Sequence, residues 1–323
     1  MKRFSPLPLA IGLIAIVGTL AACGPATGDL GTVAPPPPTT NPSIDPGSPE
    51  PTAPSSPVPS PTPGGSPNPD PSESPSKETV TIRVYFFLGS FTHDGGLAPV
   101  LYEIPATQAV GRAAMEFLLD GPSDQHVEGR PAFFTTIPEG TRLLGLEIEN
   151  GIATVNLSRE FESGGGSASV LGRLAQVVYT LTQFPTVDAV SFELDGEPVT
   201  VFSGEGIVLE GPVDREDYTD QLAPIFVDRP AWGAAASDPV RVTGLANVFE
   251  ATFRIAILDG DGNVLVDEGA MATCGSGCWG TFDVTLDYDV DEAQWGTLRV
   301  YSHSAMDGSV VDLTDYPVWL AGS

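Results

Sequence analysis

From residue 79 the chain runs in short stretches rich in apolar and β-branched residues. TVTIRVYFFL over 79–88 and VLYEI ending at Pro105 both read as strands. The period then changes. Across 107–120, Val110, Ala113, Ala114, Phe117 and Leu118 fall on one helical face, and Gly121-Pro122 ends the helix. RLLGLEIENGIATVNL returns to alternation on both sides of Asn150-Gly151, a pair that tolerates the positive φ of a two-residue turn, so a β-hairpin is expected. A second helical period begins near Ser167, expected as its N-cap, with Val170, Leu174, Val177, Val178 and Leu181 toward the core. Gln176, Tyr179, Thr180 and Gln183 form a polar stripe opposite that face, as a wet helix surface would. Residues 187–194 and 198–202 are expected to close the unit as a further hairpin around Asp195-Gly196. The order ββα, ββα, ββ describes an α+β domain.

Beyond Gly211 no convincing helical period recurs. PIFVD, PVRVTGLA, VFEATFRIAIL, VLVDEGA, GTFDVTLDY, GTLRVYSHS and VVDLTDYPVWL follow one another, with turn signals at 259–263 and at Asp307-Gly308. Short strands at this spacing predict an all-β sandwich of roughly 100 residues.

The first 77 residues have a different character. Lys2 and Arg3 precede an apolar run that is short for a membrane span, and Leu20-Ala21-Ala22 precede Cys23, which is the layout of an export signal. The site resembles the bacterial lipobox, which implies lipidation of Cys23 and cleavage before it. Residues 24–77 are dominated by Pro, Ser, Thr and Gly and have almost nothing to bury, so a disordered linker is expected. Wholly polyproline II, it would reach on the order of 170 Å, against about 40 Å for a flexible coil. The expected organisation is therefore a signal peptide (1–22), a lipidated cysteine with its tether (23–77), an α+β domain (78–204) and a β-sandwich (222–323).

Export changes the reading of the cysteines. With Cys23 carrying lipid outside the cytoplasmic membrane, Cys274 and Cys278 are the remaining pair of the chain's three cysteines, and they sit in a compartment where disulfides persist. The spacing in TCGSGCWG has three intervening residues, two of them glycine, which suits neither a redox dithiol at a helix N-terminus nor half of a zinc site. A local disulfide is expected, worth about 2 kcal/mol for so small a loop.

The formal charge of −28 argues against nucleic acid and anionic membrane surfaces as partners. His93, His126 and His303 show no ligand or catalytic spacing, and no nucleophile sits in G-x-S-x-G. DGDGN at 259–263 and DYDVDE at 287–292 superficially suggest calcium loops. An EF-hand needs glycine at its sixth position and an acid at its twelfth, and these frames supply Val264 and Ala270, then Glu292 and Leu298. Both fail as EF-hands, leaving only weak calcium binding open. ESGGGSAS lacks the Lys-Ser/Thr of a phosphate loop and reads as a glycine hinge that could face a partner. Trp232, Trp279, Trp295 and Trp319 are scattered in sequence and offer no evident sugar platform. No metal, cofactor or catalytic residue is assigned.

LLDGP (118–122), TTIPEGTRLL (135–144), IATVNLSREF (152–161) and RLAQVVYTLTQFPTVDAVSFELDG (173–196) together resemble the GerMN domain of sporulation and spore-germination proteins. Asn156 stands where that resemblance leads one to expect Asp. SDPVRVTGLANVFEATFRIAILDGDGNVL (237–265), with GTFDVTLDY and GTLRVYSHSAMDGS, resembles the immunoglobulin-like domain that follows GerMN in such lipoproteins. The resemblance implies a lipid-anchored, extracytoplasmic and non-catalytic envelope role in sporulation, germination or wall assembly. The expected partner is an envelope protein complex or sensor, with peptidoglycan as the alternative and an unrecognised wall hydrolase as the competing enzymatic reading. Gln176, Tyr179, Thr180 and Gln183 are the candidate partner-binding residues.

Overall fold

Strand β1 (Thr79–Leu88) pairs antiparallel with β2 (Leu97–Pro105), and its far end pairs with the short β3 (Phe133–Phe134), giving the sheet order β2-β1-β3. This is a computed structural model, and it describes residues 78–89, 95–123, 133–202, 204 and 206–322. The signal segment, Cys23, the tether, His93 and His126 lie outside the described residues.

Helix α1 (Val110–Asp120) starts three residues later than the periodicity suggests, because the Thr107 hydroxyl accepts from Ala109 N–H and holds a turn there. Its fully buried residues are Gly111, Ala114, Met115 and Leu118, so the buried stripe is rotated from the expected one and Val110, Ala113 and Phe117 lie at its margin.

A second sheet takes the order β4-β5-β6-β7, from β4 (Leu143–Glu149), β5 (Ile152–Leu157), β6 (Ala189–Leu194) and β7 (Glu197–Pro198). The β4–β5 hairpin turns at Asn150 (φ 51°) and Gly151 (φ 83°), the left-handed pair that this turn requires. Strands β5 and β6 are parallel, so α2 (Ser167–Leu181) is a crossover helix between them. The expected hairpin after Asp195-Gly196 is only two residues deep. Val201–Phe202 (β8) leaves β6 and pairs instead with Ile207–Val208 (β9).

The second module is a sandwich of three and five strands. β10 (Ile225–Arg229), β12 (Val240–Ala246) and β15 (Gly280–Leu286) form one sheet in the order β10-β12-β15. The other has the order β11-β17-β16-β13-β14, from β11 (Ala235–Ala236), β13 (Thr252–Leu258), β14 (Val264–Met271), β16 (Gln294–His303) and β17 (Val310–Leu320). Every run expected as a strand contains one, although Phe249–Ala251 in VFEATFRIAIL form a short 3-10 turn before β13, and β11 is added as a short parallel partner of β17. The fold is thus an α+β module followed by a mostly-β, immunoglobulin-like module.

The two modules share one buried core, and the described residues belong to a single compact unit. Trp232, 1% exposed, donates its backbone N–H to Pro99 C=O (2.8 Å), and its own C=O accepts from Leu101 N–H (3.2 Å). The second module is thereby stitched to the free edge of β2. Gly96 has φ 63°, and a Cβ there would lie 2.2 Å from Ala223 N, so the close approach of the connecting segment to this hairpin needs glycine. Among the described residues no helix is long and apolar enough to cross a membrane.

Candidate functional site at the junction of the two modules

Helix α2 is buried on nearly every side, and this overturns the exposed polar stripe. Gln176, Tyr179 and Thr180 are each 0% exposed, and Gln183 is half-buried. The reason is the edge of β1. Ala106 N–H donates to Glu78 C=O and Leu88 N–H to Gly96 C=O, so the even-numbered residues of β1 bond to β2 and the odd-numbered ones point their backbone groups the other way. No strand covers Arg83 or Tyr85 on that side.

The α2 stripe covers them instead. Gln183 Oε1 accepts from Arg83 N–H (2.8 Å) while Gln183 Nε2 donates to Arg83 C=O (2.5 Å). Thr180 Oγ1 accepts from Tyr85 N–H (3.3 Å), and Gln176 Nε2 donates to Tyr85 C=O (3.1 Å). Gln176 Oε1 also takes Thr136 N–H at 2.9 Å. Three polar side chains at successive turns of a helix thus do the work of a missing strand, since buried backbone groups must be paired. As placed, Gln176 and Thr180 are committed internally and present no contact face, whereas the half-buried Gln183, though bonded to Arg83, also lines a groove beside β1.

Tyr179 belongs to a second arrangement, at the seam of the modules. Arg215, from the segment joining them, lies over the rings of Tyr179 (4.7 Å) and Tyr85 (5.3 Å). Its Nη1 donates to Asp228 Oδ1 (3.2 Å), Nη2 to Tyr85 Oη and Tyr179 C=O (3.1 Å each), and Nε to Thr182 Oγ1 (2.8 Å). Tyr85 donates its hydroxyl to Asp228 Oδ1 (2.5 Å), and Tyr179 donates to Arg215 C=O (3.2 Å). Arg83 Nη1 stands 3.7 Å from the other Asp228 oxygen.

Burial pushes the Asp228 carboxyl up, but the Arg215 and Arg83 charges and the Tyr85 hydrogen bond outweigh it and hold the group below its ordinary value. Burial, then the Asp228 charge, push the Tyr85 hydroxyl up to about 12. The network joins β1, α2, the connecting segment and β10, so it clamps one module to the other. Arg215 and Asp228 were missed at the level of sequence, because Arg215 falls between the expected domains. The available signal was scarcity: only 14 basic residues occur beside 42 acidic ones.

The glycine-rich hinge is also tied down. Helix α2 begins at Ser167 with Gly166, not Ser167, as its N-cap, and Arg173 reaches back into the loop from nearly two turns on. Its Nη1 donates to Phe161 C=O (2.6 Å) and Ser163 C=O (3.0 Å), and its Nη2 to Gly164 C=O (2.9 Å) and Ser169 Oγ (3.0 Å). At 1% exposure this guanidinium is spent on carbonyls inside the protein.

Asn156, where Asp was expected, accepts from Gly196 N–H at 3.0 Å; an amide oxygen suffices to hold that turn. Cys274 and Cys278 form a disulfide between β14 and β15, with Cα atoms 5.8 Å apart. The loop it closes is pinned to the β12–β13 connection by Ser276 N–H to Val248 C=O and Gly277 N–H to Asn247 Oδ1, both 2.9 Å. Asp259 closes its own turn by accepting from Asp261 and Asn263, as a hairpin acid does. No cluster of three metal-ligating side chains occurs among the described residues. His303, at the end of β16, packs on the Tyr301 ring. Trp295 and Trp319 are not scattered in space: they sit opposite each other on β16 and β17, rings 5.4 Å apart, 45% and 38% exposed.

An α+β module clamped through a half-buried ion pair to an immunoglobulin-like sandwich defines a two-module protein whose modules form one body. Residues 83–200 match the family model for sporulation and spore germination (Germane), and residues 224–309 match that for the immunoglobulin-like domain of bacterial spore germination (Gmad2). The chain carries a Germane domain followed by a Gmad2 domain. It is 30% identical over 132 residues to lipoprotein LpqB of Thermobifida fusca (strain YX), which is 40% of this chain and 20% of LpqB. The chain thus spans about a fifth of the length of that curated relative. It is similar to the first GerMN domain of the sporulation protein GerM from Bacillus subtilis, at 21% identity over 43% of this chain and 99% of that one, with a TM-score of 0.37. For the tandem GerMN domains of GerM the figures are 16%, 65%, 62% and 0.38.

Proposed function

We propose that the protein is a lipid-anchored accessory protein of the bacterial envelope, held by Cys23 at the outer face of the cytoplasmic membrane and extended on its proline-rich tether. On this reading it catalyses nothing and serves sporulation, germination or wall assembly by binding an envelope protein complex or sensor. The observation that carries the reading is the clamped junction: Arg215 and Asp228 hold both modules in one geometry, which suits a recognition body. The two family matches and the lipoprotein relative support the same reading.

The test is crosslinking of the full-length chain in native membranes. A discrete complex with envelope proteins is expected, and Cys23→Ala should release the chain from the membrane fraction. Release of soluble fragments from peptidoglycan by the purified chain would overturn the non-enzymatic reading. A second reading, wall-glycan binding, is favoured by the exposed Trp295–Trp319 pair, because aromatic faces at a wet surface suit sugar stacking. Saturable co-sedimentation with sacculi at physiological salt, lost in a Trp295→Ala/Trp319→Ala variant, would establish it.

A further inference from the structure

Between β1 of the first module and residues 229–241 of the second lies a groove of about 580 Å³, within the size range of ligand sites. Its composition runs against that of the rest of the protein. Three arginines, Arg83, Arg229 and Arg241, line it, and no acidic residue is among its described lining, although the chain carries 42 acids and 14 bases. The acids paired with these arginines are not in the described lining. Asp283 takes both prongs of Arg241, Asp228 stands 4.0 Å from Arg229 Nε, and the same carboxylate is 3.7 Å from Arg83 Nη1. Arg83 lies deepest, its side chain 11% exposed against 63% and 69% for Arg229 and Arg241. Its Nε–H has no hydrogen-bond partner among the described residues.

The walls add a backbone signal. The α2 side chains that seal the edge of β1 stop at Arg83. The outward N–H and C=O groups of Thr81 therefore have no partner among the described residues, and Thr81 lines the groove. On the opposite wall, Trp319 N–H donates to Ala234 C=O and Ala321 N–H to Ala236 C=O. That leaves Ala235, also in the lining, with its own backbone groups directed away from β17. Two strand edges, one from each module, face a common space beside three cations, with Phe184 and Val240 supplying apolar surface between them.

We infer that this groove binds an extended, acidic polypeptide segment, which adds a strand to an open edge and places its carboxylates on Arg229, Arg241 and Arg83. The inference rests on the protein-partner reading above and names the chemistry of the partner. A phosphate polymer would satisfy the arginines but leave the strand edges unused, whereas an extended peptide engages both features. Because the groove exists only when both modules are docked, the Arg215–Asp228 clamp is also what assembles it.

The test uses the purified full-length chain and a fluorescein-labelled octapeptide alternating Glu and Val, with its Gln-Val counterpart and inorganic polyphosphate as comparisons. Anisotropy should show saturable binding of the Glu-Val peptide, at least about tenfold weaker binding of the Gln-Val peptide, and a similar loss in Arg229→Gln/Arg241→Gln. Both substituted side chains are well exposed, so the fold should survive, and a circular-dichroism melt checks that it does. Hydrogen exchange should show new protection at Thr81 and Ala235 in the complex. Absence of saturable peptide binding, unchanged affinity in the double variant, or binding without amide protection would each overturn the inference. Tighter binding of polyphosphate than of the peptide would reassign the groove to phosphate polymers. The same variant separates this inference from the reading beneath it. If it still crosslinks to an envelope complex in membranes, the groove is dismissed and the protein-partner reading stands; if wild type crosslinks to nothing, the reading itself falls.

Discussion

Asp228→Asn isolates the charge that holds the modules together. Asparagine keeps the shape, and its Oδ1 still accepts from the Tyr85 hydroxyl, but Arg215 and Arg83 lose their counter-ion. Removing one partner of a buried ion pair costs about 3–5 kcal/mol. Here the carboxylate side chain is 19% exposed and Arg215 26%, and Arg215 retains bonds to Thr182, Tyr179 and Tyr85, so the cost falls at or just below the lower end. The expected loss is about 2–3 kcal/mol, a fall in melting temperature of about 4–12 °C for a body of this size. Urea unfolding followed by tryptophan fluorescence measures it, since Trp232 sits on the seam. Wild type should unfold in one transition, because the network and core are continuous across the modules. In a double-mutant cycle, Arg215→Met should recover part of the loss in the Asp228→Asn background, with a coupling of at least about 1 kcal/mol. A loss under about 0.5 kcal/mol, or additive effects of the two substitutions, would refute the clamp.

The Asp228 carboxyl is held below its ordinary value, so in acid the unfolded chain binds its proton first and this part of the stability is present at neutral pH and lost as pH falls. The stability gap between wild type and Asp228→Asn should therefore narrow below about pH 4, read from urea midpoints across a pH series. Gln176→Ala should cost about 2–4 kcal/mol by stranding Tyr85 C=O and Thr136 N–H in the core, whereas an exposed stripe residue would change stability by under about 0.5 kcal/mol in the same melt. Arg173→Met should raise hydrogen exchange across 161–166 while leaving the β-sandwich unchanged, and uniform exchange would count against the tie between Arg173 and the glycine loop. Cys274→Ser/Cys278→Ser should lower stability by about 2 kcal/mol, with the added exchange confined to the 272–280 loop and the β12–β13 connection.

Local signals in the sequence determined where elements begin, turn and end. Asn150-Gly151 and Asp195-Gly196 fix their turns because few residue pairs accept two positive φ angles. Seven of the eight sandwich strands are legible because alternation and turn residues are properties of neighbours along the chain. The Cys274–Cys278 bridge is legible for the same reason, its partners being four residues apart. The two-module class and its family resemblance were likewise open to inspection of the chain alone.

What decided the site was tertiary. Gln176, Thr180 and Gln183 look like a wet helix face, because a periodic polar stripe carries no mark that says whether water or an unpaired strand edge will satisfy it. Only the placement of α2 against β1 turned the stripe inward. Arg215 and Asp228 are 13 residues apart and meet Tyr85 across more than a hundred, so their shared charge balance exists in no local window. Trp295 and Trp319 pair only through the register of β16 with β17. Val201–Phe202 was free to extend one hairpin or begin another, and in the structure it pairs with Ile207–Val208. Patterning fixes which residues prefer to be covered; which surface covers them depends on packing between segments far apart in sequence, and that packing created both the clamp and the groove beside it.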